Sequence, residues 1–214
     1  WSSDVCSSDL ILNQALQELG STDIKERKKA ASLFMRAACK ELGTKDTGTI
    51  KEWFVLNGEK YLLAIKAETN PEIIWTNIYT LQSFCARYIK LSHLYKFKSE
   101  FITDDEVGSF EEECKVYVRS LLGKNQNSKV MQAIASFFWI YNEEFVWDIF
   151  IEVLKKKKDK LTLSHIGIAI RQCVTLSKEE EGTEYISDGQ RKALIELLKS
   201  KDILPREIAL LESM

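Results

Sequence analysis

Proline and glycine are scarce in this chain of 214 residues, which contains two prolines and nine glycines. Both residues are common in chains built from many short strands and turns. Apolar residues recur mostly three and four positions apart, which is the spacing of one helix face. The sequence therefore predicts an all-α fold with long helices.

Closely spaced cysteines and long apolar runs are also missing. Beyond the first ten residues the cysteines are Cys39, Cys85, Cys114 and Cys173, set far apart among apolar or helical neighbours. We interpret them as reduced core thiols of a cytoplasmic protein. No apolar stretch reaches the roughly 18–20 residues that cross a membrane. The nearest approach, 130–141, is broken by Gln132, so we predict no membrane contact.

The motifs of common enzyme classes are absent as well. The chain has no Gly-x-Gly-x-x-Gly, no Gly-Lys-Ser phosphate loop and no Gly-x-Ser-x-Gly. His93 and His165 belong to no metal-binding histidine pair, and the acidic runs 104–106 and 111–113 lack the spacing of a calcium loop. We therefore predict no catalytic residue, no cofactor and no metal site.

The first ten residues read as foreign to the protein. The string Trp-Ser-Ser-Asp-Val-Cys-Ser-Ser-Asp-Leu resembles, codon for codon, one reading frame of a common short-read sequencing adapter. A segment translated from adapter sequence is not part of the protein and is excluded from fold prediction. We expect residues 1–10 to be an artefact and residues 11–214 to be a fragment of one helical domain, with a lost signal peptide left open.

Net charge gives no sign of a nucleic-acid partner. The chain has 30 Lys and Arg against 32 Asp and Glu; without Asp4 and Asp9 the two counts are equal. A nucleic-acid binder usually carries a basic excess, because neutralising phosphates supplies much of its affinity. The equal numbers of basic and acidic residues argue against nucleic acid as the partner.

Helix boundaries can be predicted from capping residues. Thr22 or Asp23 can cap one helix, Asn70-Pro71 begins another, and a third region begins at Thr103. Further helices are predicted over 128–141, 143–156, 161–176, 188–199 and 205–213.

The segment 53–62 gives conflicting signals. Asn57-Gly58 between apolar runs is typical of a β-hairpin. The runs do not alternate cleanly, however, and Leu62, Leu63 and Ile65 suit a helix equally well. We favour two helical pieces broken at Asn57-Gly58, with a hairpin as the alternative.

An internal repeat organises the chain. A helix ends in an apolar residue, a polar turn follows, and a longer apolar helix begins; the turns lie at 19–23, 67–71, 122–126, 154–160 and 198–202. The helices before them, at 12–19, 60–67, 116–122, 146–154 and 193–198, also resemble one another. Such a pair buries its apolar faces only when neighbouring pairs stack on it.

This pattern resembles the HEAT-repeat family and related armadillo-like proteins over most of residues 11–214. The most family-like elements are Asp23 with Arg27 and Asp202 with Arg206, because an Asp in the turn and an Arg in the second helix often pair between neighbouring HEAT units. The middle copies depart from this, with Trp75 and Val130 in the Arg position. The resemblance implies a right-handed α-solenoid of about five helix pairs and a binding scaffold.

Two groups of residues are candidates for partner binding. Aromatic residues concentrate at Phe137, Phe138, Trp139, Tyr141, Phe145, Trp147 and Phe150. We interpret most of them as core, with Trp139 or Trp147, and Trp75 elsewhere, as possible interface anchors. The basic run Lys155, Lys156, Lys157 and Lys158 either complements a helix C-terminus or contacts an anionic partner.

Three functional hypotheses follow. The first is a non-catalytic scaffold that binds a protein or peptide on its concave helical surface. The second is a nucleic-acid-acting HEAT-like protein, such as a glycosylase for alkylated DNA bases, which would gather basic side chains such as Arg36, Lys40, Arg87 and Lys90 on the inner helices. The third is a structural segment of a longer chain.

Overall fold

Helices are the only regular elements in the part of the chain that the structure, a computed structural model, describes. That part comprises residues 3–39, 47–86, 103–123, 126–141, 143–156, 159–179 and 185–214, with side chains from residue 9 in the first range and from residue 50 in the second. The helices are α1 (Ser3–Leu19), α2 (Ile24–Cys39), α3 (Thr47–Lys66), α4 (Pro71–Cys85), α5 (Asp104–Ser120), α6 (Ser128–Phe138), α7 (Phe145–Lys156), α8 (Lys160–Glu179), α9 (Asp188–Lys201) and α10 (Pro205–Glu212). The prediction of an all-α fold is confirmed.

Side-chain oxygens cap the helices that follow the predicted polar turns. The caps are Asp23 before α2, Asn70 before α4, Asn127 before α6 and Asp159 before α8, each accepting a backbone N–H at 2.8–3.0 Å. Such a cap satisfies an N–H group that has no partner within the helix. Among the helices that follow these turns, only α10 differs, because Leu204 precedes it in a left-handed conformation with φ 51° and no side-chain cap.

The predicted break at Asn57-Gly58 is wrong. Helix α3 runs without interruption from Thr47 to Lys66. Gly58 is needed for close packing rather than for a turn, since a Cβ atom there would lie 2.4 Å from Cδ2 of Phe110 in α5. The glycine therefore lets α3 and α5 approach each other, which a local sequence pattern does not reveal.

Residues 1–121 form the first of two compact units. In it α1 contacts α2, α1 contacts α3, and α3 contacts α5, while α2 and α4 share the most extensive interface. Helices of this unit therefore contact both the helix that follows them in the chain and the helix after that. We call α1, α3, α5, α7 and α9 the first helices, and α2, α4, α6, α8 and α10 the second helices.

Neighbouring second helices of this unit run in the same direction. Lys28 of α2 bonds Glu72 of α4 at 2.5 Å near the helix starts, and Cys39 lies 3.2 Å from Ser83 near the helix ends. The first helices α3 and α5 also run in the same direction. Gly58 lies against Phe110, and further along both helices the Tyr117 hydroxyl donates to the Ile65 carbonyl at 3.4 Å.

Residues 122–214 form the second unit and repeat this contact pattern. Here α6 contacts α7 and α8, α7 contacts α9, and α8 and α9 both contact α10. The amide of Gln190 at the start of α9 donates to Asp148 of α7 at 2.9 Å. Second helices α8 and α10 are joined by an ion pair between Arg171 and Glu207.

Aromatic side chains fill the interior of each unit. In the first unit the cluster is Phe34, Trp53, Phe54, Tyr61, Phe84 and Phe110, all buried. In the second it contains Phe137, Phe138, Tyr141, Trp147 and Phe150. The core interpretation of the aromatic concentration is confirmed for these five residues, while Trp139 and Phe145 are half-buried.

The cysteine prediction needs one correction. Cys85, Cys114 and Cys173 are buried free thiols, as predicted, but Cys39 is exposed. Its position at the last turn of α2 places it beside Ser83 at the border with α4, outside the core. Within the described residues, no helix is long and apolar enough to cross a membrane.

Candidate functional site

Of the three tryptophans proposed as anchors, Trp147 lies inside the second unit. Its side chain is buried, and its indole Nε1 donates to the Tyr185 carbonyl at 2.6 Å. This bond links α7 to the segment that precedes α9. A buried, hydrogen-bonded indole stabilises the unit and presents no surface to a partner.

Trp139 lies at the end of α6 and is half-buried. Its ring stacks on the imidazole of His165 in α8, with 6.3 Å between ring centroids and 21° between ring planes. Burial lowers the pKa of His165, against the smaller opposing effect of the Asp159 carboxylate. The pair therefore presents a neutral, partly exposed aromatic surface between two second helices.

Trp75 lies on α4, another second helix, and is also half-buried. Its ring packs against that of Tyr79, one turn further along, with 4.7 Å between centroids. Trp75 and Trp139 thus share a setting, because each is a partly exposed indole on a second helix that contacts one further ring. Such indoles are suited to anchoring a partner.

The lysine run is only partly described. Lys155 and Lys156 are exposed at the end of α7, whereas Lys157 and Lys158 lie outside the described residues. The ammonium group of Lys156 donates to the Leu122 carbonyl, in the short 3-10 helix Leu121–Gly123. Cations favour such carbonyl ends, so Lys156 contributes to the structure of the unit.

A more regular set of cations lies on α2. Lys25, Lys29 and Arg36 are exposed. Together with Ser32, which lies between Lys29 and Arg36, they follow one another at intervals of four, three and four residues, and this spacing places them on one face of the helix. We call Lys25, Lys29 and Arg36 the α2 basic stripe. No ion pair joins any of the three to an acidic side chain among the described residues.

The other cations of α2 are already paired with the next helix pair. Arg27 Nε donates to Glu68 Oε2 at 2.8 Å, and a second Arg27 nitrogen donates to the Ser21 carbonyl at 2.9 Å. Burial would raise the pKa of Glu68, but bonds from Arg27, Asn70 and Thr69 outweigh it and hold the pKa below its ordinary value. Lys28 bonds Glu72. These two cations connect helix pairs, whereas the stripe does not.

One open groove follows the exposed face of α8. It has a volume of about 390 Å³ and is lined by Ile168, Arg171, Gln172, Thr175 and Leu176. Arg171 is half exposed, and its guanidinium is paired with the buried Glu207. The groove offers apolar, amide and hydroxyl groups together with a cation that is already partly neutralised.

Groups suited to chemistry do not come together in the described part of the chain. No cluster of three or more His, Cys, Asp or Glu side chains there could hold a metal ion. Cys114 and Tyr61 are fully buried, and burial raises the pKa of both groups, so neither is an activated nucleophile. On the second helices the described surface offers cations on α2 and rings on α4 and α6, while the first helices expose the aliphatic side chains of Leu56, Leu63 and Val116.

Sequence reasoning had selected Trp75, Trp139 and Trp147 by residue type but missed the stripe as a unit. Of the three stripe residues it had named only Arg36, together with Lys40, Arg87 and Lys90, as a test of the nucleic-acid hypothesis. Lys25 and Lys29 were visible as residues that lie away from the apolar face of α2, and the helical spacing from Lys25 to Arg36 was the signal that could have joined them. No protein-family model, curated protein or solved structure matches the chain.

Proposed function

We propose that each unit is a segment of a right-handed, HEAT-like α-solenoid, and that the chain is a non-catalytic scaffold that binds a protein or peptide through the face of its second helices. The observation that carries this proposal is the parallel packing of α2 on α4, with α3 on α5 as the other layer. In repeat proteins each helix pair contacts mainly its neighbours in this way.

The ion pair between Arg27 and Glu68 also supports HEAT-like stacking. Arg27 lies in the second helix of one pair, and Glu68 lies in the turn of the next. The family resemblance implies a connection of this kind between neighbouring units. The acid differs from the expected one, because Asp23 caps its own helix instead.

Binding through the second helices follows from what they expose. The α2 basic stripe and the half-buried Trp75 lie on neighbouring helices of the first unit, and the half-buried Trp139 lies at the end of a second helix of the second unit. Tryptophan and arginine are enriched at interface centres, and interface rims are polar. Trp147 and Lys156 are left out of this surface because their polar groups bond within the second unit.

A nucleic-acid-acting protein remains the second candidate, and one observation favours it. Arg36 is exposed on a second helix together with Lys25 and Lys29, which is the kind of clustering that this hypothesis requires. Lys40, Arg87 and Lys90, which would extend the cluster, lie outside the described residues. The near-neutral charge of the whole chain favours the protein partner.

The test is affinity capture from bacterial lysate with immobilised residues 11–214, with and without nuclease. Three baits are compared. One is the wild type, one is the double variant Trp75→Ala/Lys29→Glu on the second helices, and one is the double variant Leu63→Ala/Lys60→Glu on α3. We expect a stoichiometric protein that resists nuclease, is lost with the second-helix variant and is retained by the α3 variant. Recovery of nucleic acid that nuclease removes, or equal loss with both variants, would overturn the proposal.

A further inference from the structure

We propose that the α2 basic stripe receives a short acidic segment of the partner protein, one that carries an apolar side chain next to its carboxylates. This inference rests on the proposed function and specifies the partner's chemistry. Its basis is charge complementarity: Lys25, Lys29 and Arg36 form one exposed row and are not neutralised by any described acid.

The row has a definite length. Lys25 and Arg36 are eleven positions apart on a continuous helix, which corresponds to about 16 Å at 1.5 Å per residue. An extended peptide covers that distance with about five residues, and a helical one with about three turns. The complementary segment is therefore short, with carboxylates spread along one side.

The cations of α2 divide into two groups with different roles. Arg27 and Lys28 form ion pairs with Glu68 and Glu72 of the next helix pair. Among the described residues, Arg36 Nε donates only to the Ser32 carbonyl of its own helix, at 3.4 Å. Lys25 and Lys29 form no ion pair with a described residue. The first group holds two helix pairs together, and the second group is available for a ligand.

A polyanion such as nucleic acid fits this surface less well than an acidic protein segment. Without Asp4 and Asp9, the first unit contains 16 Lys and Arg against 16 Asp and Glu, so the unit as a whole does not attract a long anion. Nucleic-acid affinity grows with the number of phosphates neutralised. Three cations on a near-neutral unit suit a ligand whose negative charge is equally local.

The neighbouring helix supplies the apolar part of the surface. Trp75 lies one turn beyond Glu72, which the Lys28 bond holds against α2. The half-buried indole and its neighbour Tyr79 therefore border the row on the α4 side. A bound segment with an apolar residue beside its acids can contact both, and the indole can serve as the anchor that charge alone does not provide.

The experiment measures binding of three fluorescein-labelled probes to residues 11–214 by fluorescence anisotropy, in low salt. The probes are an aspartate-rich peptide of about twelve residues with one central leucine, the same peptide with asparagine for aspartate, and a single-stranded DNA of similar length. We expect the acidic peptide to bind most tightly, and added salt to weaken its binding, because exposed charges are screened.

Matched variants locate the site. Lys25→Glu/Lys29→Glu/Arg36→Glu should weaken peptide binding about tenfold or more, and the neutral Lys25→Gln/Lys29→Gln/Arg36→Gln by less. The control Lys60→Glu/Lys66→Glu/Arg119→Glu changes the same residue types at exposed positions of first helices in the same unit, and should leave affinity within about twofold. Circular dichroism establishes that all three variants are folded.

Several outcomes overturn the inference: equal loss in the stripe and control variants, tighter binding of DNA than of the acidic peptide, or no binding of either probe. These failures are distinct from failure of the proposed function. If a nuclease-resistant protein is captured and lost only with the second-helix bait, the scaffold proposal stands while the acidic-segment inference falls.

Discussion

Arg27 and Glu68 are 41 positions apart in sequence, yet Arg27 Nε donates to Glu68 Oε2 at 2.8 Å. The glutamate side chain is 5% exposed and the arginine side chain 21%. The other carboxylate oxygen of Glu68 accepts the backbone N–H groups of Thr69 and Asn70 at 2.9 and 2.7 Å. One carboxylate thus fixes both the turn before α4 and the position of α2 against it.

Replacing Arg27 with alanine should destabilise the fold by about 1–3 kcal/mol, because it leaves a largely buried carboxylate without its cationic partner. The control is Lys28→Ala, which breaks the adjacent but exposed pair with Glu72 and should cost less than about 1 kcal/mol. Urea denaturation of both variants measures the difference. Equal losses would mean that Arg27 and Glu68 do not hold the helix pairs together.

The same carboxylate predicts a pH dependence. The pKa of Glu68 lies below its ordinary value in the fold, so its stabilising effect is complete above the ordinary glutamate pKa, about 4.5. The effect disappears as the pH falls through the lowered folded-state pKa. The stability difference between wild type and Glu68→Gln should therefore shrink on going from neutral pH to below about pH 4. A difference that stays constant over this range contradicts the assignment.

Several helix starts were predictable from the sequence because their causes are local. Asn70 and Pro71 start α4 through a side-chain cap and a first-turn proline. Thr103 and Glu106 form a capping box at the start of α5. Each signal lies within four residues of the boundary that it sets, so a single sequence contains the whole cause.

Features that depend on distant residues were not predictable. Gly58 belongs to a hairpin-like dipeptide, but the Phe110 ring 52 positions later decides that it packs inside a helix. Trp139 and Trp147 are the same residue type eight positions apart, and only the packing of α8 and of Tyr185 makes one half-buried and the other buried. The α2 basic stripe likewise depends on which cations the next helix pair neutralises.

Gly58→Ala should destabilise the first unit by about 1–3 kcal/mol, because the new Cβ would overlap the buried Phe110 ring and force α3 away from α5. The matched control is Gly108→Ala in α5, where an added Cβ meets nothing within 4 Å. That change should stabilise the protein by about 0.5–1 kcal/mol through helix propensity. Thermal or urea unfolding measures the stability change in both variants. A neutral or stabilising effect of Gly58→Ala would refute the close approach of α3 to α5.

His165 should titrate at a lower pH than an ordinary histidine, since burial of its imidazole, which stacks on Trp139, lowers its pKa. The chain contains only two histidines, so the imidazole signals can be assigned by NMR after replacing His93 with glutamine. Stability should decline as the pH falls below the ordinary histidine value of about 6.5, because the unfolded chain takes up this proton more readily. A midpoint at or above that value would contradict the buried stacking.

Site-specific photo-crosslinking tests most directly whether partners bind through the second helices. A photoreactive phenylalanine derivative replaces Ser32, in the middle of the α2 basic stripe, or Glu59, exposed on α3, and each protein is irradiated in bacterial lysate. We predict a discrete protein adduct from position 32, resistant to nuclease and reduced by Trp75→Ala, with no such adduct from position 59. An adduct from position 59 alone, or one that nuclease removes, would contradict the account of a protein-binding scaffold.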